Sequence, residues 1–171
     1  MSIHIIIDGY NLIRQSSVFS ALDREDIQRG REALIDALAV YRKMKQHKIT
    51  VVFDGINAPA FSPNKDRIKG ISIRFSRNGE TADTVIKKMT VVEKEKALVV
   101  SSDRQVLHFA ACQGCAIIES PVFEEKMATA GYKNLTGFDD ETGWMPTTKK
   151  KGPAKRLSKR KRRDRIKIKK L

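Results

Sequence analysis

Short apolar runs punctuate this chain at intervals, and three of them end on an aspartate. Ile5-Ile6-Ile7 meets Asp8-Gly9, Ile49–Phe53 meets Asp54-Gly55, and Ala97–Val100 meets Ser101-Ser102-Asp103. Apolar runs this short, without polar alternation, suit strands buried on both faces. Helical stripes separate them. After Asp23, placed to cap a helix, Ile27, Leu34, Leu38, Tyr41 and Met44 recur at helical spacing. Thr81–Glu95 carries Ala82, Val85, Ile86 and Met89 on one face, and Arg104 to about Gln113 forms a helix closed by Gly114. Ala116–Ile118 adds a short strand and Pro121–Ala130 a last helix, whereas Ile71–Phe75 alternates and predicts an edge or half-buried strand. The stretch 56–70, with two prolines, reads as a loop. Buried strands alternating with helices predict an α/β fold: a mainly parallel sheet with helices on both faces.

Such sheets bind ligands outside the carboxyl ends of their strands. Asp8, Asp54 and Asp103 would share that edge, with Asn11 one turn beyond Asp8. Asp83, in the first turn of its helix, and Glu80, three residues earlier, share a helical face. Crowded carboxylates repel one another unless a cation intervenes, and hard oxygen donors suit Mg²⁺ or Mn²⁺. An aspartate after a strand is also an ordinary helix cap, and Asp103 can simply cap the helix that starts at Arg104. No Ser-His-Asp or Cys-His arrangement competes for the chemistry among His4, His47 and His108.

The formal net charge of +14 is unevenly spread. Residues 149–171 hold fourteen Lys or Arg and one acid, Asp164, so residues 1–148 are near neutral at +1. A body of that size can bury a core. The tail, almost free of apolar residues before Ile166, is expected to be disordered when free and to attract polyanions without reading bases. Lys149, Lys150, Lys151, Lys155, Arg156, Lys159, Arg160, Lys161, Arg162 and Arg163 are its candidate RNA contacts. Lys65, Arg67, Lys69, Arg74 and Arg77 form a second basic stretch, readable as an RNA-facing loop or as a solvated one. No run approaches a membrane span and no apolar leader follows Met1, so neither a membrane partner nor secretion is expected. Cys112 and Cys115, too few for a zinc site, are expected to pack as small buried hydrophobes in a reducing, cytoplasmic setting.

Ile5-Ile6-Ile7-Asp8-Gly9-Tyr10-Asn11-Leu12, Asn78-Gly79-Glu80-Thr81-Ala82-Asp83 and Val99-Val100-Ser101-Ser102-Asp103 together resemble the NYN domain family in its YacP-like branch, within the PIN-like ribonucleases. The resemblance spans roughly residues 3–125. It implies a PIN-like Rossmannoid three-layer sandwich and a metal-dependent endoribonuclease. Asp8, Asp83 and Asp103 would be the metal-binding carboxylates, Asn11 a supporting residue, Glu80 an auxiliary acid and Asp54 a less regular member. It leaves the basic tail as an addition. The expected organisation is a nuclease domain over 1–131, a linker over 132–148 and the tail, with RNA, ribosomal or ribosome-associated RNA included, as partner. A non-catalytic RNA-binding protein and a metal-dependent phosphatase are the competing readings.

Overall fold

The computed structural model describes residues 3–55, 65–77, 79–136 and 158–171. Six strands form one sheet: β1 (His4–Asp8), β2 (Lys48–Phe53), β3 (Lys65–Ile68), β4 (Ile71–Phe75), β5 (Ala97–Val100) and β6 (Ala116–Ile118). Their order is β3-β4-β2-β1-β5-β6, parallel throughout except for β3 against β4. The mainly parallel α/β sandwich expected from the sequence is what the chain adopts.

Strand residues alternate between two cores. Ile5, Ile7, Val51, Phe53, Leu98 and Val100 face one layer, while Ile6, Val52, Ala97 and Val99 face the other. The first layer contains α1 (Gly9–Gln15), α2 (Ser17–Glu25), α3 (Ile27–Lys45) and α6 (Ser120–Thr136), the second α4 (Ala82–Glu93) and α5 (Arg104–Cys112). Leu34, Leu38 and Tyr41 of α3 meet Phe123 and Met127 of α6 in the first core. Ile86 and Met89 of α4 meet Val106 and Ala110 of α5 in the second. Gly114, at φ +87°, follows the end of α5 as expected.

Several local expectations change. Residues 9–25 form two short helices that no long stripe announces, because Ser16 ends one and caps the next by accepting from the Phe19 N–H. Asp26, not Asp23, caps α3, accepting from the Gln28 N–H at 2.8 Å. Lys65–Ile68, expected within a loop, is the edge strand, and all its side chains are exposed. Such a strand carries no apolar period, and its charges discourage pairing with another chain. That moves β4 inward, between β3 and β2. Helix α6 continues to Thr136, beyond the expected domain limit at 131. Cys115 is buried as expected, but Cys112 is exposed on α5 rather than on its inner face.

The tail departs most. Lys149, Lys150, Lys151, Lys155 and Arg156 lie outside the described residues, as does most of the expected linker. Lys159–Lys170, expected to be disordered, forms α7, capped by Ser158. Arg163 pairs with Glu95, Lys167 donates to the Glu95 carbonyl, and Arg160 donates to the Ala111 carbonyl. Leu171 enters the first core at 4% exposure, and the Tyr41 hydroxyl donates to its backbone oxygen at 3.1 Å. Positions 160, 163, 167 and 171 recur at helical spacing, so one stripe docks α7 while its remaining cations face solvent. Arg160 and Arg163, proposed RNA contacts, are therefore engaged by the protein itself.

Candidate active site

Parallel strands carry Asp8 and Asp54 to one edge of the sheet, and the turn after β5 carries Asp103 there. The Asp8 carboxyl is only 7% exposed. One oxygen accepts from the Asn11 N–H at 3.3 Å, capping α1, and the other accepts from the Ser101 hydroxyl at 3.1 Å. Gly9 permits this packing: a Cβ there would collide with the Phe53 ring. Asp103 caps α5 through a single oxygen, Oδ1, which accepts from Gln105 N–H at 2.7 Å and Val106 N–H at 3.3 Å. The capping role set beside the chemical one is thus real for both residues. It still leaves lone pairs on each carboxylate, since each oxygen has two.

Asp8, Asn11, Asp54, Asp83 and Asp103 line one cleft of about 350 Å³, together with Tyr10 and Arg14. Glu80 is not among them. It lies in a neighbouring groove and pairs with Lys88 at 2.6 Å, which draws its carboxyl below the usual range. Burial pushes the Asp8 carboxyl up to about 6, and the nearby Asp83 and Asp103 charges add to that rise. Asn11 and Ser101 hydrogen bonds oppose it. Asp83 is raised too, by burial first and then by Asp103 and Asp54, with Lys87 opposing. Among the described residues, none of these four aspartates has an ion-pair partner.

Asn11 has a defined orientation. Its Oδ1 accepts from the Ser102 N–H at 2.7 Å and from the Ser120 hydroxyl at 2.8 Å. A backbone N–H can only donate, so the acceptor must be the amide oxygen. Both its lone pairs are used, and the Nδ2 group is the part of Asn11 left to donate into the cleft. Ser101, Ser102 and Ser120 therefore set the geometry of Asp8 and Asn11, although no pattern in the sequence gives them a role. Ser101 also accepts from the Asp103 N–H at 3.1 Å. Ser101-Ser102 sits inside a motif already recognised, and that adjacency was the available signal. Nothing local marks Ser76, whose hydroxyl donates to Asp54 at 2.9 Å and accepts from the Gly55 N–H at 2.8 Å. Tyr10 is buried, its ring 5.1 Å edge-on from Phe53 and its hydroxyl accepting from Arg31 at 3.1 Å, so packing governs it.

A family model described as the YacP-like NYN domain matches residues 5–170. The chain belongs to the YacP-like NYN family. The match takes in α7, so the basic segment through residue 170 is part of the family's extent rather than an addition to it. The uncharacterized protein YacP of Bacillus subtilis (strain 168) is 26% identical over 85 residues, 50% of this chain and 49% of that protein. The chain thus aligns with about half the length of that curated relative. A crystal structure of Rae1 (YacP) from Bacillus subtilis superposes with a TM-score of 0.66 at 24% identity, covering 79% of this chain and 78% of the other. A mutant of the same protein gives 0.64 at 22%, covering 78% and 79%. At these identities the likeness establishes the fold, which is PIN-like. YacP-like NYN domains are of the nuclease type, so a ribonuclease kind of activity is the class the family supports. Among the described residues, no helix is long and apolar enough to cross a membrane.

The residues can be weighed against a divalent ion. Among the described residues, no three His, Cys, Asp or Glu side chains cluster tightly enough to chelate one ion in the arrangement seen. Mg²⁺ does not require such a cage, since it usually binds one or two carboxylates and keeps waters and substrate phosphates as its other ligands. A buried carboxylate without a cationic partner among the described residues, beside two further acids, is a donor set such an ion fits.

Proposed function

We propose that this chain is a metal-dependent endoribonuclease that hydrolyses RNA phosphodiester bonds in the Asp8 cleft. The observation carrying the proposal is Asp8 itself: buried, without an ion-pair partner among the described residues, and facing Asp83 and Asp103 at the carboxyl edge of a YacP-like NYN domain. Evolution could have relieved that repulsion with one apolar substitution, and an unrelieved carboxyl in a cleft marks a functional site.

Asp8, Asp83 and Asp103 would hold Mg²⁺ or Mn²⁺, with Asp54 at the margin. A bound divalent ion supplies acidification of a water and neutralisation of phosphate charge. Asn11 donates through Nδ2 to a phosphate oxygen or to the attacking water, its orientation fixed by Ser102 and Ser120. Arg14, exposed at the rim, offers a charged fork to a neighbouring phosphate. Glu80 acts at a distance by tethering Lys88. The solvent-facing cations of α7, including Lys159, Lys161 and Arg162, together with the tail cations outside the described residues, add RNA affinity without base preference, ribosomal RNA included.

The chemistry of the products tests this reading. Attack by water with loss of the 3′ oxygen leaves a 3′-hydroxyl and a 5′-phosphate; attack by the neighbouring 2′-hydroxyl leaves a cyclic phosphate. An internally labelled RNA incubated with the protein and Mn²⁺ should yield 5′-phosphate ends, and EDTA should stop the reaction. Cyclic ends, or cleavage that persists in EDTA, would exclude the mechanism. Binding without cleavage under every metal condition would leave the non-catalytic reading.

A further inference from the structure

We infer that the groove between α4 and the open face of β2, β4 and β3 is a single-stranded RNA track feeding the Asp8 cleft. This rests on the ribonuclease reading above and adds the form of the substrate and its path.

The groove exists because β4 alternates. Ile71 and Ile73 enter the first core, so Ser72 and Arg74 face the opposite side of the sheet, where α4 packs mainly on β1, β2 and β5 rather than on β4 and β3. Strand register extends that polar surface sideways. Arg74 pairs with Val52 and Lys65, and Ser72 pairs with Thr50 and Arg67. Partners in register share a face, so Thr50, Ser72, Arg74 and Lys65 form the floor. One side of α4 is the wall: Val85, Lys88, Met89 and Val92 recur at spacings of three and four. Val92 is 80% exposed and ends this wall in an open apolar contact surface.

The cavity is about 790 Å³, more than twice the acid cleft. Its lining holds Lys48, Lys65, Arg74, Arg77 and Lys88 against Glu80 and Glu93, a surplus of three positive charges. His4, at the far end, lies 2.9 Å from Glu93 and hydrogen-bonds Thr50 at 2.8 Å; burial holds it below the usual histidine range. Residues 1–148 as a whole carry only +1, so this groove concentrates cations that the rest of the body balances. Its near end is marked by Arg77, Gly79 and Glu80, directly before the α4 turn that carries Asp83. A strand bound along the floor therefore arrives at the acids.

The floor takes Lys48 and Thr50 from the start of β2 and follows β4, five residues or about 17 Å. That length and volume accommodate a short run of unpaired nucleotides, with phosphates on the cations and riboses or bases against Val85 and Val92. A duplex carries its phosphates on two rims, which one recessed floor cannot meet together. A cationic groove with apolar contacts along one backbone is how proteins hold single strands without reading sequence.

The test uses the full chain in EDTA, where RNA stays intact, and measures binding to a labelled single strand and to its duplex. Lys65→Glu with Arg77→Glu, both exposed, should weaken single-strand binding at least ~10-fold and lower the salt slope by about 1.4, two contacts at ~0.7 each. Arg24→Glu with Lys43→Glu, exposed on the opposite helical layer, should change affinity less than ~3-fold. Circular dichroism establishes that each variant is folded, and Arg74→Gln, which removes one floor charge without reversing it, should give a smaller loss in the same direction. Equal losses from the groove and control pairs, or equal affinity for duplex and single strand, would overturn the track. The two readings fail separately. Groove-dependent binding with no cleavage under any metal would leave the track and remove the nuclease. Cleavage by a protein whose binding ignores the groove pair would do the reverse.

Discussion

Replacing Asp8 with asparagine should stabilise the metal-free fold while removing its activity. The carboxyl is 7% exposed and has no cationic partner among the described residues, and burial raises its pKa from 3.8 to about 6. Between those values the folded state binds more protons than the unfolded state, so stability falls as pH rises from about 4 through 6. A shift of about two units corresponds to roughly 3 kcal/mol, fully lost above pH 7. A carboxamide avoids this charge burial. It can still accept from the Asn11 N–H, and its NH₂ can donate to Ser101, whose own proton is free to rotate. In EDTA at pH 8, Asp8→Asn should be ~2–3 kcal/mol more stable than the parent. For a chain this size that is roughly 4–12 °C in Tm. The gap should close as pH falls to 4. Millimolar Mn²⁺ should raise the parent's Tm and leave the variant's unchanged, since a ligand stabilises only the state that binds it. Urea melts at pH 4, 6 and 8, with and without metal, measure all of this. A variant equally destabilised at every pH would show that Asp8 is a structural cap and refute the reasoning.

Other substitutions test the supports. Asn11→Leu strands the Ser102 N–H and the Ser120 hydroxyl, so urea melts should show a loss of ~1–3 kcal/mol. Gly55→Ala drives a methyl group into the Ser76 carbonyl and should cost ~1–3 kcal/mol in the same assay, loosening Asp54 through Ser76. Leu171→Ala should cost about 2 kcal/mol and expose α7 to protease, which limited proteolysis would detect. Changing Lys159, Lys161, Arg162 and Arg165 together to glutamine should lower the salt slope of single-strand RNA binding by up to about 3, with melting unchanged. Deleting the whole tail is a poorer experiment, since it also removes Leu171 from the core.

Much of this was legible in the sequence because it depends on local patterns. Unbroken apolar runs announced β1, β2 and β5, and strand ends that share a sheet edge brought Asp8, Asp54 and Asp103 together. Asp83 came from its helix start. Glu80 shows the limit of spacing arguments: it lies three residues from Asp83 but before the Thr81 cap, outside α4, so the two share no helical face, and Lys88 holds it in the next groove. The edge strand β3 and the helix α7 escaped detection for a shared reason. Neither has an apolar stripe, and each is held by what it meets in three dimensions: β4 for one, Glu95 and Tyr41 for the other. Composition alone made the last residues a solvated polycation, whereas Leu171 and a few cations at helical spacing dock part of that segment. Ser101, Ser102 and Ser120 escaped because serine is common, and only the fold brings Ser120 to Asn11.

The most direct measurement is the rate of RNA cleavage by the purified chain as Mn²⁺ is titrated, compared with Asp8→Asn and Asp103→Asn under the same conditions. Cleavage should rise from nothing in EDTA to a plateau with metal, and each variant, folded by circular dichroism, should lose at least ~10²-fold, about 2.7 kcal/mol of barrier. Cleavage by the Asp8→Asn protein at the parental rate, or a parental rate indifferent to metal, would contradict the assignment of this cleft as a metal-dependent ribonuclease site.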